Sequence, residues 1–289
     1  MQVRDCSTNA RWRRDPLSHW QVLQRIIENG QRISPIFEAP WVRTSIFRID
    51  WLHCSDQGVA ADFLGNLFWM VLPKLGGHNL KERTTSLWLR TRAFYEANNV
   101  EDRLKNLVPT ILKQPKKSPK LRCSAAQCRA LVPFGLEIAR ATLSNAVPAE
   151  QAALAAAYHL NECYRALSST RIFYHDILET NSRKFAMQLV ALEAAHADAT
   201  NIWKVKPKLH LFLELCSEGS QPAKFWNYRD EDYGGSVARF SHRRGGLLSV
   251  RAFSANLIDR FRASQPVVRM VARLHSSDEE GCFVGLGTS

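Results

Sequence analysis

The chain has 289 residues, of which 45% are hydrophobic, so most of it is expected to fold, with room for two domains. Its 39 lysine and arginine residues outnumber its 27 acidic residues, which gives a formal net charge of +12 and a sequence pI near 9.6. This balance favours a polyanionic partner such as DNA or RNA over an acidic small molecule. A ribosomal or chromatin protein would have the same balance.

The cysteines and the N-terminal segment indicate a cellular compartment. Seven cysteines at irregular spacing leave one without a partner in the chain, which argues against a secreted disulfide framework and for a reducing compartment. The basic start of the chain lacks the apolar centre of a signal peptide, and no apolar run approaches the ~20 residues of a membrane span. We therefore expect a nuclear or cytoplasmic protein that is not secreted and has no membrane partner.

Apolar periodicity predicts a mainly α-helical chain with one short strand. Residues 45–49, which are rich in β-branched and aromatic side chains, are predicted to form a buried strand. Residues 107–120 are interrupted by proline and lysine and are predicted to form a loop. Helices that would pack as a bundle are predicted at 16–29, 59–75, 81–97, 124–144, 148–167, 171–199, 207–219, 222–240 and 247–261.

Two acidic motifs lie at the edges of apolar segments, where a carboxylate needs a stabilising partner. Asp50 follows the predicted strand, and Asp230, Glu231 and Asp232 lie in an aromatic helix predicted to include Phe225. Carboxylates brought together from such distant segments could hold divalent metal for phosphodiester chemistry. The alternatives are that Asp50 caps the following helix and that the acidic cluster is a solvated turn.

Three blocks of sequence resemble cut-and-paste transposases with a ribonuclease H-like core, and they occur in the order of that family. The first block is residues 47–53 (FRIDWLH), which are followed by Gly58 and by a predicted helix containing 63–67. It resembles the family's D-x-M-H and G-x-L block. Residues 206–212 (KPKLHLF) resemble K-P-K-x-H-L-L, and residues 230–235 (DEDYGG) resemble F-E-R-F-N-G. The chain is also similar to the open reading frames that mobile elements leave in protist genomes.

The resemblance implies a helical bundle inserted in, or packed on, a partial ribonuclease H-like α/β core. Asp50 and Glu231 would be the second and third members of a catalytic acidic triad and, with Asp230, would hold Mg²⁺ or Mn²⁺ ions that activate water. The first aspartate has no clear counterpart, because only Asp5 and Asp15 precede Asp50. The first core strands would then be missing, as in a fragment, a decayed copy or a product that binds without cleaving.

The distance along the chain between Asp50 and Glu231 suggests an inserted domain. About 180 residues separate the two carboxylates, far more than one strand-to-helix connection needs. The predicted division is a basic disordered tail at 1–14, a partial core segment at 15–75, a helical insertion at 76–202, helices that complete the core at 203–275 and a disordered tail at 276–289.

Lysine and arginine are concentrated in two parts of the chain. No acidic residue occurs between Asp102 and Glu137. The lysines and arginines of this interval are predicted to form a basic stripe that contacts a phosphate backbone. The alternative is that the interval is a solvated linker. Cations also flank the acidic helix, where Trp203, Trp226 and Tyr228 are candidates either to stack bases or to pack in the core. The predicted nucleic-acid-binding residues are Lys113, Lys116, Lys117, Lys120, Lys204, Lys206, Lys208, Arg239, Arg243 and Arg244.

Together these features predict a transposase-derived DNA-binding protein with an incomplete two-metal site for phosphodiester cleavage or strand transfer. The alternative is a non-enzymatic, basic α-helical module that binds nucleic acid or protein. DNA is the expected partner. A homo-oligomer and a partner chain that supplies the missing core strands are also compatible with the sequence.

Overall fold

The structure, a computed structural model, describes residues 4–7, 9–10, 17–168, 172–199, 201–228, 230–231, 234–235 and 259. The chain forms two compact units, Met1–Asn227 and Tyr228–Ser289. The first unit contains the helices α1 (His19–Glu28), α2 (Ala61–Val71), α3 (Leu80–Ala97), α4 (Pro109–Leu112), α5 (Ala125–Ala130), α6 (Val132–Thr142), α7 (Pro148–Ser168), α8 (His175–Ala195) and α9 (Pro207–Ser217). A π-helix, Leu52–Ala60, runs directly into α2, and 3₁₀ turns lie at Pro35–Glu38, Thr44–Ile46, Leu72–Lys74 and Pro222–Lys224.

Polar side chains set the beginnings of several helices. Ser18 and Gln21 form a capping box, so that α1 begins at His19 rather than near residue 16. Ser124 and Gln127 form the same arrangement at the start of α5. Such caps satisfy backbone N–H groups that the first helical turn leaves without an intrahelical partner. The boundaries of these helices therefore follow from local sequence.

The helix predicted at 124–144 is divided into α5 and α6. Pro133 has no N–H and cannot continue the helical hydrogen-bond ladder, and the N–H of Leu131 bonds to the carbonyl of Cys128 at 3.1 Å. Pro133 lies in the first turn of α6, where the missing donor costs little. The other helices predicted between residues 81 and 219 are confirmed, with shifts of a few residues at their ends.

The core of the first unit surrounds α2 and the π-helix. Phe63, Leu64 and Leu67 of α2 are almost completely buried, and so is Trp51 at the start of the π-helix. The Trp51 ring packs against the rings of Tyr164 in α7 and Phe212 in α9, at centroid distances of 5.5 and 5.6 Å. Within the described ranges, no helix is both long and apolar enough to span a bilayer.

The predicted α/β core is wrong, because the part of the chain that the structure describes contains helices and turns but no β-strand. Residues 45–49, predicted to be a buried strand, begin within a 3₁₀ turn and continue as an irregular segment. The N–H groups of Ile46 and Phe47 bond locally to the carbonyls of Arg43 and Thr44, at 3.1 and 3.2 Å. The side chains of Ile46 and Phe47 are 52% and 53% exposed, so these strand-forming residues have no sheet to join.

The last two predicted helices fall largely outside the described residues. Within 222–240 the structure describes a 3₁₀ turn at Pro222–Lys224, non-helical residues at 225–227 and helical residues at 228, 230–231 and 234–235. Of the predicted helix at 247–261, only Asp259 is described.

Candidate nucleic-acid interface

Two basic segments that are distant in sequence meet on one side of α2. Residues 113–120 and 204–208 together hold seven lysines and no acidic residue. The buried side chain of Asn66 joins them: its Nδ2 donates to the carbonyl of Pro119 at 3.1 Å, and its Oδ1 accepts the N–H of Trp203 at 2.8 Å. Asn201 adds a second link, because its Nδ2 lies 3.5 Å from the carbonyl oxygen of Lys116.

Gly65, the residue before Asn66, allows the first basic segment to reach α2. A Cβ atom at Gly65 would overlap the Cα of Lys120 and would lie 2.5 Å from the backbone nitrogen of Leu121. That nitrogen donates to the carbonyl of Ala61 at 2.8 Å. The absence of a side chain at Gly65 therefore places the backbone of residues 120–121 directly on the helix.

Three of the lysines are anchored by hydrogen bonds near the π-helix. The Nζ atoms of Lys120 and Lys208 donate to the carbonyls of Gln57 and His53, at 2.7 and 2.8 Å. The Nζ of Lys206 lies 2.7 Å from Oδ1 of Asp62. Burial lowers the pKa of Lys120, and the charges of Lys206 and Lys208 lower it further, against the opposing effect of Asp62. Because Gln57 and His53 both lie in the π-helix, their bonds to Lys120 and Lys208 bring charges of the two basic segments close together.

Most of the remaining lysines of the two basic segments carry their charge at the protein surface. Lys116, Lys117 and Lys204 are exposed, whereas the ammonium of Lys113 lies 4.9 Å from the ring centroid of Trp69. We call the seven residues Lys113, Lys116, Lys117, Lys120, Lys204, Lys206 and Lys208 the lysine surface. A small cavity of about 30 Å³ opens beside it, lined in part by Asp62, Asn66, Trp203, Lys204, Lys206 and Lys208.

The aromatic residues proposed to stack bases have other surroundings. Trp203 is only 5% exposed and packs against Phe63 at a ring distance of 5.9 Å, so it belongs to the core. Trp226 is half-buried, with the guanidinium of Arg129 4.4 Å from its ring centroid. Tyr228 is half-buried and lies in the second unit.

Asp50 lies at the start of the π-helix, where its carboxylate accepts several hydrogen bonds. Oδ1 accepts the N–H groups of Leu52 at 3.2 Å and Asn227 at 2.9 Å, and Oδ2 accepts the N–H of His53 at 3.0 Å and contacts the His53 ring. Partial burial works to raise the pKa of Asp50, but the hydrogen bonds from His53, Asn227 and Leu52 outweigh it and lower the pKa. These bonds fit the helix-capping alternative for Asp50.

Asp50→Ala is expected to lower the free energy of unfolding by about 1–2 kcal/mol, because it removes the cap. The pKa of Asp50 in the folded protein lies below its usual value of 3.8, so the stabilisation is complete above that value and is lost as the pH falls through the lowered pKa. Urea unfolding at a series of pH values measures the difference between wild type and variant. Asp102→Ala, which removes an exposed carboxylate that lies outside the helices, is the control, and an equal loss in both variants would contradict the capping role.

The predicted metal site is not assembled from residues of one unit. Asp50 belongs to the first unit, whereas Asp230 and Glu231 belong to the second, where both are exposed. Asp232, Arg239, Arg243 and Arg244 lie outside the described residues. Across the described positions, no three His, Cys, Asp or Glu side chains are grouped so as to hold a metal ion. The Mg²⁺ site at Asp50, Asp230 and Glu231 therefore stays a prediction.

The most informative residues that sequence reasoning missed are Gly65 and Asn66. The only signal was a glycine and an amide within the otherwise apolar stretch 63–68 (FLGNLF). A buried polar side chain in such a helix needs hydrogen-bond partners, and a glycine there often marks close approach of another backbone. Both features indicate a contact, but neither identifies which segment makes it.

Comparison of the chain with family models, curated proteins and solved structures finds no significant match. The resemblance to transposases therefore rests on the short sequence blocks alone.

Proposed function

We propose that this chain is a non-enzymatic nucleic-acid-binding protein that contacts the phosphate backbone through the lysine surface. The proposal rests on the two hydrogen bonds of Asn66, to Pro119 and to Trp203, which bring together the segments 113–120 and 204–208. Neither segment contains an acidic residue, and of their seven lysines Lys206 is paired with Asp62 of α2. Clustered cations attract a polyanion and release its condensed counterions, so that affinity depends strongly on salt. The net charge of +12 adds long-range attraction to the same partner.

The lysine surface combines fixed and mobile charges. Lys120, Lys206 and Lys208 are oriented by hydrogen bonds to the π-helix and α2, which limits the entropy lost when they meet a phosphate. Lys116, Lys117 and Lys204 are exposed and can adjust to the spacing of a backbone. This arrangement favours phosphate contacts, which position a nucleic acid without reading its sequence.

The simultaneous replacement of Lys116, Lys117 and Lys204 by alanine is expected to weaken nucleic-acid binding about 100-fold near 0.1 M salt, because three phosphate contacts are lost. The slope of log affinity against log salt should fall by about 3 in magnitude. Fluorescence anisotropy with a labelled strand of about 20 nucleotides, and with its duplex, measures both quantities.

The matched control replaces three exposed cations of α3 by alanine: Lys81, Arg90 and Arg92. Both triple variants lose three positive charges, so a difference between them reports the location of the charge rather than its amount. Equal weakening in the two variants would indicate attraction by net charge alone, and no binding by the wild type would reject the proposed function.

A further inference from the structure

A row of four aromatic rings lies on the segment that precedes the π-helix. The ring centroids of His19 and Trp20 are 5.0 Å apart, those of His19 and Phe37 are 5.7 Å apart, and those of Phe37 and Phe47 are 5.7 Å apart. We call His19, Trp20, Phe37 and Phe47 the aromatic row. The N–H of Thr44 donates to Nδ1 of His19 at 3.2 Å and holds α1 against the turn that leads to Phe47.

The two ends of the aromatic row are open to solvent. Trp20 is 68% exposed and Phe47 is 53% exposed. The guanidinium of Arg43 lies 5.9 Å from the Trp20 ring centroid, where it can share a stacked base or pair with a phosphate. Contiguous exposed apolar surface of this kind is typical of interaction sites, whereas single exposed apolar side chains are not.

The charge around the aromatic row favours a nucleic acid over an apolar protein surface. The segment 17–48 contains four arginines and two glutamates, and all six residues are exposed: Arg25, Arg32, Arg43, Arg48, Glu28 and Glu38. Arg48 is paired with Glu218 at 3.0 Å, and the guanidinium of Arg43 is the one that lies at the ring of Trp20. Rings interleaved with arginines are the composition of surfaces that stack successive bases and hold the intervening phosphates.

The aromatic row is within reach of the lysine surface. Phe47 precedes His53 by six residues, and the carbonyl of His53 accepts the Nζ of Lys208 at 2.8 Å. Six residues span at most about 20 Å even when fully extended. A strand of a dozen nucleotides, within the range of about 4–16 that one binding module covers, can therefore contact both surfaces.

We propose that the aromatic row stacks unpaired bases, so that the preferred ligand of this protein is a single-stranded nucleic acid. This inference rests on the proposed function, because the lysine surface supplies the phosphate contacts. An exposed ring can insert against the face of a base only where that face is free, and in a duplex both faces of each base are covered by its neighbours. Duplexes would then bind through the lysine surface alone.

The test compares three labelled probes of equal length: oligothymidylate, an abasic strand and a duplex. Trp20→Ala is expected to weaken oligothymidylate binding about tenfold, with little effect on the abasic strand or the duplex, and without changing the salt slope. Trp20→Phe should retain most of the affinity, because it keeps a ring. Ile27→Ala is the matched control, since Ile27 is 60% exposed on the same helix but lies outside the aromatic row.

The outcomes separate this inference from the proposed function. If Trp20→Ala leaves oligothymidylate binding unchanged while the lysine triple variant weakens it, the stacking inference is rejected and the proposed function stands. If the wild type binds none of the probes, both are rejected. If Trp20→Ala and Ile27→Ala both convert a dimer to a monomer in sedimentation and leave probe affinity unchanged, the surface joins two copies of the chain and the stacking inference is rejected.

Discussion

Tyr164→Phe is expected to lower the free energy of unfolding by about 2–3 kcal/mol, because it removes the donor of a buried hydrogen bond to a carboxylate. The hydroxyl of Tyr164 donates to Oδ1 of Asp56, whose side chain is fully buried in the π-helix. The indole N–H of Trp51 approaches the same oxygen at 3.3 Å, and the Ser55 hydroxyl lies 3.2 Å from that of Tyr164. Burial first, and then the Asp56 carboxylate, raise the pKa of Tyr164 well above its usual value, so the hydroxyl stays protonated.

Urea unfolding of the variant measures this cost, with Tyr158→Phe as the matched control. Tyr158 lies on the same helix, α7, but is 43% exposed, so loss of its hydroxyl should change stability by less than about 0.5 kcal/mol. Asp56→Ala removes the acceptor, and the double variant should lose less than the sum of the single losses, with a coupling of about 1–3 kcal/mol. Additive losses would show that Tyr164 and Asp56 do not act as a pair.

Local sequence was sufficient to predict most of the helices. The proline that begins α9 and the apolar spacing of its Leu209, Phe212 and Leu215 gave both its type and its extent. The signals for α3 and α7 were equally local, since their apolar and helix-forming residues have helical spacing over many turns. The exact helix ends depend on which residue caps the helix, as Ser18 and Ser124 do. The sequence favours Asp15 as the cap of α1, and the predicted start is therefore too early.

The strand predicted at 45–49 is wrong because strand propensity reflects how well side chains fit a half-buried sheet. The described part of this protein contains no sheet that residues 45–49 could join. Ile46 and Phe47 are held instead in a turn, where Phe47 packs on Phe37. Without that strand, Asp50 is not at the carboxyl end of a sheet. The aspartate that suggested a catalytic triad accepts hydrogen bonds at the start of a helix.

The candidate site could be predicted only in part. Charge density along the chain identified both basic segments, because it is a local property. That residues 113–120 meet residues 204–208 depends on Asn66 and Gly65, which belong to neither segment. The buried pair of Asp56 and Tyr164 is separated by 108 residues, and no pattern in the sequence links the two. Long-range contacts of this kind determine which segments form the site, and they leave almost no pattern in the local sequence.

Gly65→Ala is expected to lower the free energy of unfolding by about 3 kcal/mol, at the upper end of the cost of overpacking, because the new methyl group meets backbone rather than a movable side chain. The backbone of Lys120 and Leu121 would have to withdraw from α2, which would break the 2.8 Å bond from Leu121 to Ala61 and strain the bond from Asn66 to Pro119. The higher helix propensity of alanine, about 1 kcal/mol, offsets only part of this.

The same variant links the fold to the proposed function. Where Gly65→Ala remains folded, the displaced loop separates residues 113–120 from residues 204–208, so nucleic-acid affinity should fall although no charge is removed. Gly76→Ala is the control, because a Cβ there meets nothing within 4 Å. Gly135→Ala should be intermediate, since its Cβ meets side-chain methyl groups rather than backbone, those of Leu64 at 2.6 Å and Leu67 at 3.5 Å. Urea unfolding and anisotropy measure the two effects. A folded Gly65→Ala variant with unchanged affinity would mean that the two basic segments bind independently, because their relative position would then not matter.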